Sequence, residues 1–136
     1  MSDSFSVGQV LKQTGLTRGT FTKWEQLLAL QIPRDHKGDR AFDADWLAYL
    51  TTLKTDLDTA GLSVSALLEW ERKLELALPR DSQDRRYLTR DWVRYFQTVL
   101  ERVEEGWELT QLVYNIPTPN QLRPQYAAAN VWGPEY

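Results

Sequence analysis

Residues 15–49 read GLTRGTFTKWEQLLALQIPRDHKGDRAFDADWLAY, and residues 61–95 read GLSVSALLEWERKLELALPRDSQDRRYLTRDWVRY. At this offset of 46 positions, thirteen of the 35 pairs are identical. They include Gly15/Gly61, Trp24/Trp70, Glu25/Glu71, Pro33/Pro79, Arg34/Arg80, Asp35/Asp81, Arg40/Arg86, Trp46/Trp92 and Tyr49/Tyr95. Self-similarity at a fixed period marks a repeated supersecondary unit. Two helical hairpins with shared packing needs would not preserve both tryptophans and the Pro-Arg-Asp triplet, so a tandem duplication is the better reading. A third start appears at Gly106-Trp107-Glu108-Leu109-Thr110-Gln111-Leu112, which echoes Gly61 to Leu67 and stops at Pro117.

One unit reads as follows. Ser6 caps a short helix carrying Val7, Val10 and Leu11, and Gly15 suits the left-handed position that ends it. Thr17 caps a second helix to about Leu30, with Phe21, Trp24 and Leu28 at helical spacing. Helix, glycine turn, helix is a helix-turn-helix pattern. Pro33 cannot continue the helix because it has no amide donor. His36-Lys37-Gly38-Asp39 reads as a turn and Arg40-Ala41-Phe42 as a short return strand, together a basic β-hairpin. Asp43 or Asp45 opens a third helix, whose Trp46, Leu50, Leu53 and Leu57 form one apolar stripe. Unit two repeats that stripe as Trp92, Phe96, Val99 and Val103. Trp24 and Trp70 are expected in equivalent buried sites, as are Trp46 and Trp92. Glu25 and Glu71 read as structural partners of nearby arginines.

The chain has 136 residues, 42% hydrophobic, with six tryptophans and six tyrosines, enough for a folded core. No stretch approaches the ~18 apolar residues of a membrane span. Met1-Ser2-Asp3-Ser4 has neither a basic nor an apolar signal region, so a cytoplasmic protein is expected. The absence of cysteine excludes disulfides and zinc-thiolate sites. One histidine and scattered carboxylates mark no triad, metal cluster or catalytic dyad. No enzyme, cofactor or metal is therefore expected. The net charge of −3 argues mildly against nonspecific nucleic-acid binding. Its distribution matters more: residues 1–55 carry seven Lys/Arg and six Asp/Glu, the remainder nine and thirteen.

The order apolar helix, Thr14-Gly15-Leu16-Thr17, Arg18-Gly19-Thr20-Phe21-Thr22-Lys23-Trp24-Glu25, Asp39-Arg40-Ala41-Phe42 and Gly61-Leu62-Ser63-Val64 resembles the DNA-binding domain of the MerR family over residues 5–68. The resemblance implies a mainly α fold of tandem MerR-like winged-helix units, each a helix-turn-helix, a short β-hairpin wing and a helix. Residues 1–60 are then the DNA-reading unit and 61–116 a degenerate second unit. Residues 117–136, with four prolines and three aromatics, read as a tail that docks its aromatics on the folded body, with a loosely ordered tail and a partner-binding peptide as the alternatives. The implied partner is double-stranded DNA, with Thr17, Arg18, Thr20, Thr22 and Lys23 of helix 2 in the major groove. Arg34, His36, Lys37 and Arg40 of the first wing would hold the backbone, as would Arg85 and Arg86 of the second. The family's long dimerisation helix and metal or thiol sensing do not carry over, because a second unit stands in that place and cysteine is absent.

At the equivalents of Arg18, Thr20, Thr22 and Lys23, unit two has Val64, Ala66, Leu68 and Glu69. That face is expected to pack, against unit one or in a homodimer, rather than to read bases. The expected function is a sequence-specific transcriptional regulator, a repressor by promoter occupancy. An excisionase-like or architectural DNA binder and a protein-interaction adaptor without DNA are the alternatives.

Overall fold

A computed structural model describes residues 4–122 of the chain. Among them are six helices: α1 Val7–Thr14, α2 Arg18–Leu27, α3 Ala44–Ala60, α4 Val64–Lys73, α5 Arg90–Glu104 and α6 Leu109–Asn115. No helix among the described residues is long and apolar enough to cross a membrane.

The helices start where side chains can satisfy their free N–H groups. Ser6 and Gln9 form a reciprocal capping box on α1, and Thr17, Asp43, Ser63 and Thr89 each accept a backbone N–H at the start of α2, α3, α4 and α5. Gly15 and Gly61 both end their helices at φ 79°, and Gly106 follows α5 at φ 94°. That conformation is open to glycine without a Cβ clash. The three points where the sequence restarts are thus three copies of one corner: glycine, apolar residue, cap, helix. Six residues after each glycine stands a core side chain, Phe21, Leu67 or Leu112, and each is at most 1% exposed.

α1, α3 and α5 pack in one row, and α2 packs on α4. A single apolar cluster runs through both units, from Val10 and Phe21 through Trp46, Leu53 and Leu67 to Trp92, Phe96 and Leu112. The duplicated units therefore share a core. Trp46 and Trp92 are buried alike, each edge-on to the tyrosine three residues later. Trp24 and Trp70 are not alike: Trp24 is buried, whereas Trp70 is half-buried under the Lys73 ammonium, 5.6 Å from the ring centre.

The expected β-hairpin wings are absent. The described residues contain no strand, only isolated antiparallel bridges, Arg34 with Arg40 and Arg80 with Arg86 in the two loops and Phe5 with Phe42. The reason lies in the aspartate that follows Pro-Arg. Asp35 Oδ1 accepts the N–H of Lys37 (2.8 Å) and of Asp39 (3.0 Å), and Asp81 Oδ1 accepts those of Gln83 and Arg85 (2.9 Å each). A carboxylate that satisfies the turn's donors leaves too few residues for a ladder. Each segment is a tight loop closed by one bridge, and the fold class is mainly α without wings.

Both units also place a non-glycine residue in the left-handed region just after the second helix, Ala29 at φ 53° and Glu75 at φ 52°. A β-carbon there costs roughly 1–2 kcal/mol, of which glycine's greater freedom in the unfolded chain takes back about 0.4–1 kcal/mol. Ala29→Gly is therefore expected to stabilise the protein by roughly 0.5–1 kcal/mol, read as a higher melting temperature. An unchanged or lower melting temperature would show that the position is not strained.

Candidate nucleic-acid interface

The residues expected to contact DNA separate into two groups. Thr17, Arg18, Thr20, Thr22 and Lys23 all lie exposed on α2 or its cap. The hydroxyls are already ordered by local bonds. Thr17 Oγ1 accepts from the Thr20 N–H (3.2 Å) and donates to Thr20 Oγ1 (2.9 Å), while Thr22 Oγ1 donates to the Arg18 carbonyl (3.0 Å). Arg18 and Lys23 pair with no carboxylate among the described residues. Lys12, in the last turn of α1, is a third exposed and unpaired cation. The sequence reading passed over it, although a plain signal marks it: residues 4–24 contain Lys12, Arg18 and Lys23 and not one Asp or Glu. Thr20 and Lys23 also line an open groove of about 830 Å³ between α2, α3 and the start of α4, with Ser63 and Ser65 on its opposite wall.

The loop residues divide differently. His36 and Lys37 are exposed on the first loop, and Arg34 is exposed but donates from Nη1 to the Gly38 carbonyl (3.0 Å), which holds it against its own loop. The Asp35 carboxyl beside them is held below the usual carboxylate range, chiefly by the N–H of Asp39.

Arg40, Arg85 and Arg86 are held in ion pairs within the fold rather than standing free on the surface. Arg40 grips Glu25 with both arms of its guanidinium, Nε to Oε2 at 2.7 Å, beside the Phe21 ring. Arg86 repeats the pairing on Glu71, Nε to Oε2 at 3.0 Å. Both pairs join a second helix to the loop that follows it, and all four side chains are partly buried. Arg85 is 8% exposed. Its Nε donates to Asp81 (2.8 Å) and its Nη2 to Asp45 (2.9 Å). Its guanidinium carbon lies 4.4 Å from the Trp46 ring centre and 4.3 Å from that of Tyr49. The remaining nitrogen, Nη1, is buried without a hydrogen-bond partner. It belongs to a guanidinium stacked on two aromatic rings, where cation–π attraction replaces part of the lost hydration.

Arg85 has no counterpart in loop one, where the aligned residue is Asp39. It bolts loop two onto α3 of unit one. Tyr49 closes the same joint by donating its hydroxyl to the Arg86 carbonyl (2.6 Å). The expected packing of unit two is met in part within the chain. Val64 is buried against unit one, Ala66 and Leu68 are half-buried, and Glu69 is exposed and pairs with Lys73.

Burial pushes the Tyr49 and Tyr95 phenols up to about 12. An unfolded phenol titrates near pH ~10, so the raised value contributes stability that is complete below that pH and is lost as pH rises through 12. Alkaline unfolding followed by circular dichroism should fall in this window, and Tyr95→Phe should move it to higher pH. An unchanged transition in that variant would remove Tyr95 from the explanation.

Comparison with known protein families, characterised proteins and solved structures finds no match to the chain.

Proposed function

We propose that this chain is a sequence-specific DNA-binding protein of the cytoplasm, acting as a transcriptional repressor through α2. The observation that carries the reading is the acid-free stretch 4–24, which sets Lys12, Arg18 and Lys23 beside the hydroxyls of Thr17, Thr20 and Thr22 in an exposed helix-turn-helix corner. An arginine there can pair with a guanine edge, and threonines can donate to phosphate or meet a thymine methyl. His36 and Lys37 offer backbone contacts from the first loop. The MerR resemblance stands in this proposal for the helix-turn-helix alone. No wing takes part.

The test is selection of genomic fragments by the purified protein at low salt. Recovery of a common site supports the reading. Failure to retain any fragment would leave the adaptor alternative, which has its own support in the exposed apolar side chains Leu109, Val113 and Tyr114 on α6. Bending of the recovered fragment in a circular-permutation gel would point instead to the architectural alternative.

A further inference from the structure

We infer that the chain associates with itself head to tail, the acidic α5–α6 end of one copy seating on the basic α1–α2 end of the next. This goes beyond the DNA reading and does not rest on it, but it uses the same α1–α2 face, so one copy's face can hold DNA or the next copy and not both.

The internal repeat is a stack with a direction. The glycine corner that leads into α2 recurs before α4 and again before α6, and α1, α3 and α5 follow one another in a single row. Among the described residues no helix precedes α1, and beyond α6 only the helical turn at 119–122 follows, held by Asn120 on the Ala77 carbonyl. That turn does not cover the apolar side chains left exposed on α6. Repeats of this kind cannot bury their end faces alone.

The two ends differ in a complementary way. At the far end, Val103, Leu109, Val113 and Tyr114 are four of the six large apolar side chains left exposed among the described residues, and Tyr114 is 86% exposed. Residues 101–115 carry Glu101, Glu104, Glu105 and Glu108 against Arg102 alone, and Arg102 pairs with Glu105. At the near end, residues 4–24 carry three cations and no acid, with Phe5, Val7 and Leu11 only partly buried. The register sharpens the match. Within the chain Val64, the first residue of α4, is 2% exposed against unit one. Arg18 is the first residue of α2, lies exposed, and pairs with no carboxylate among the described residues. A preceding copy would supply an acidic surface there, which suits arginine as an apolar one suits valine. Such a contact joins two different surfaces, so it propagates rather than closing into a symmetric pair. Because its ion pairs lie at a surface, salt screens it.

The test is sedimentation equilibrium of the full chain without nucleic acid. The wild type should rise above 15.8 kDa as concentration increases at low salt, and fall back at high salt. Lys12→Glu with Arg18→Glu makes both ends acidic, and Glu104→Lys with Glu105→Lys makes both basic. Each double variant alone should stay monomeric, and an equimolar mixture should associate, because every contact then joins opposite charges. All four positions are exposed, and circular dichroism confirms the fold of each variant. Tyr114→Asp, at a position free in solvent, should also abolish association and serves if a charge variant misfolds. A wild type that stays monomeric at every concentration overturns the proposal and leaves the α6 face to a different partner. Two monomeric variants whose mixture does not associate overturn it as well, because opposite charge at the two ends then does not drive the contact.

Discussion

Arg85→Ala should lower the stability of the protein by about 2–4 kcal/mol, below the upper range for breaking a buried ion pair. The discount reflects the partners: Asp45 is 60% and Asp81 24% exposed, so both regain water when the arginine is gone. What they do not regain is the guanidinium stacked on Trp46 and Tyr49, nor the packing of loop two against α3. The acid limb of stability should change with it. Burial raises the Asp81 carboxyl, but the backbone and side-chain bonds from Arg85 outweigh it and hold the group below its usual value. A lowered carboxylate contributes stability above its unfolded pKa of ~3.9 and loses it as pH falls through the folded value. In the variant that loss should be smaller. A melt like the wild type's, with weakened DNA binding, would return Arg85 to the surface role that the sequence suggested.

Phe42→Ala should cost about 3–5 kcal/mol, the range for emptying a buried aromatic site. Phe42 is 0% exposed, meets Phe21 edge-on with ring centres 5.7 Å apart, and exchanges two backbone hydrogen bonds with Phe5. It holds loop one, the start of the chain and α2 together. Thermal unfolding measures the loss, and an effect under 1 kcal/mol would mean that α2 is oriented by something other than this contact.

The duplication, the caps and the apolar stripes were legible because each rests on local chemistry at fixed spacing, except that Val103, expected at the end of the second stripe, is 38% exposed. Ser6, Thr17 and Asp43 cap because a short oxygen side chain before an apolar helix does so in almost any tertiary setting. A structural arginine partner for Glu25 and Glu71 was legible, but not its identity: Arg40 and Arg86, which fill the role, read as DNA-backbone contacts. Two further features were not legible. The loops read as β-hairpins because turn residues stood between short apolar segments. Asp35 and Asp81 look like ordinary turn residues in sequence, and only geometry shows that each satisfies the donors a ladder would have used. Arg85 read as a basic surface residue because its partners Asp45, Trp46 and Tyr49 lie about forty positions earlier, in the other unit. The basic face of α1 and α2 was read one residue short. Lys12 lies on α1 rather than on the recognition helix, and its signal is the absence of acids from residues 4–24.

The most direct test of the proposed DNA face is a titration of the wild type, Arg18→Ala and Lys23→Ala against a selected fragment at several salt concentrations. Each contact that neutralises a phosphate adds about 0.9 to the slope of log affinity against log salt. The account predicts a steep slope for the wild type and folded variants of near-normal melting temperature. Each variant should lose about 1–3 kcal/mol of specific binding where it reads a base, or about one unit of slope where it holds a phosphate. Binding that is unchanged in both variants would contradict it.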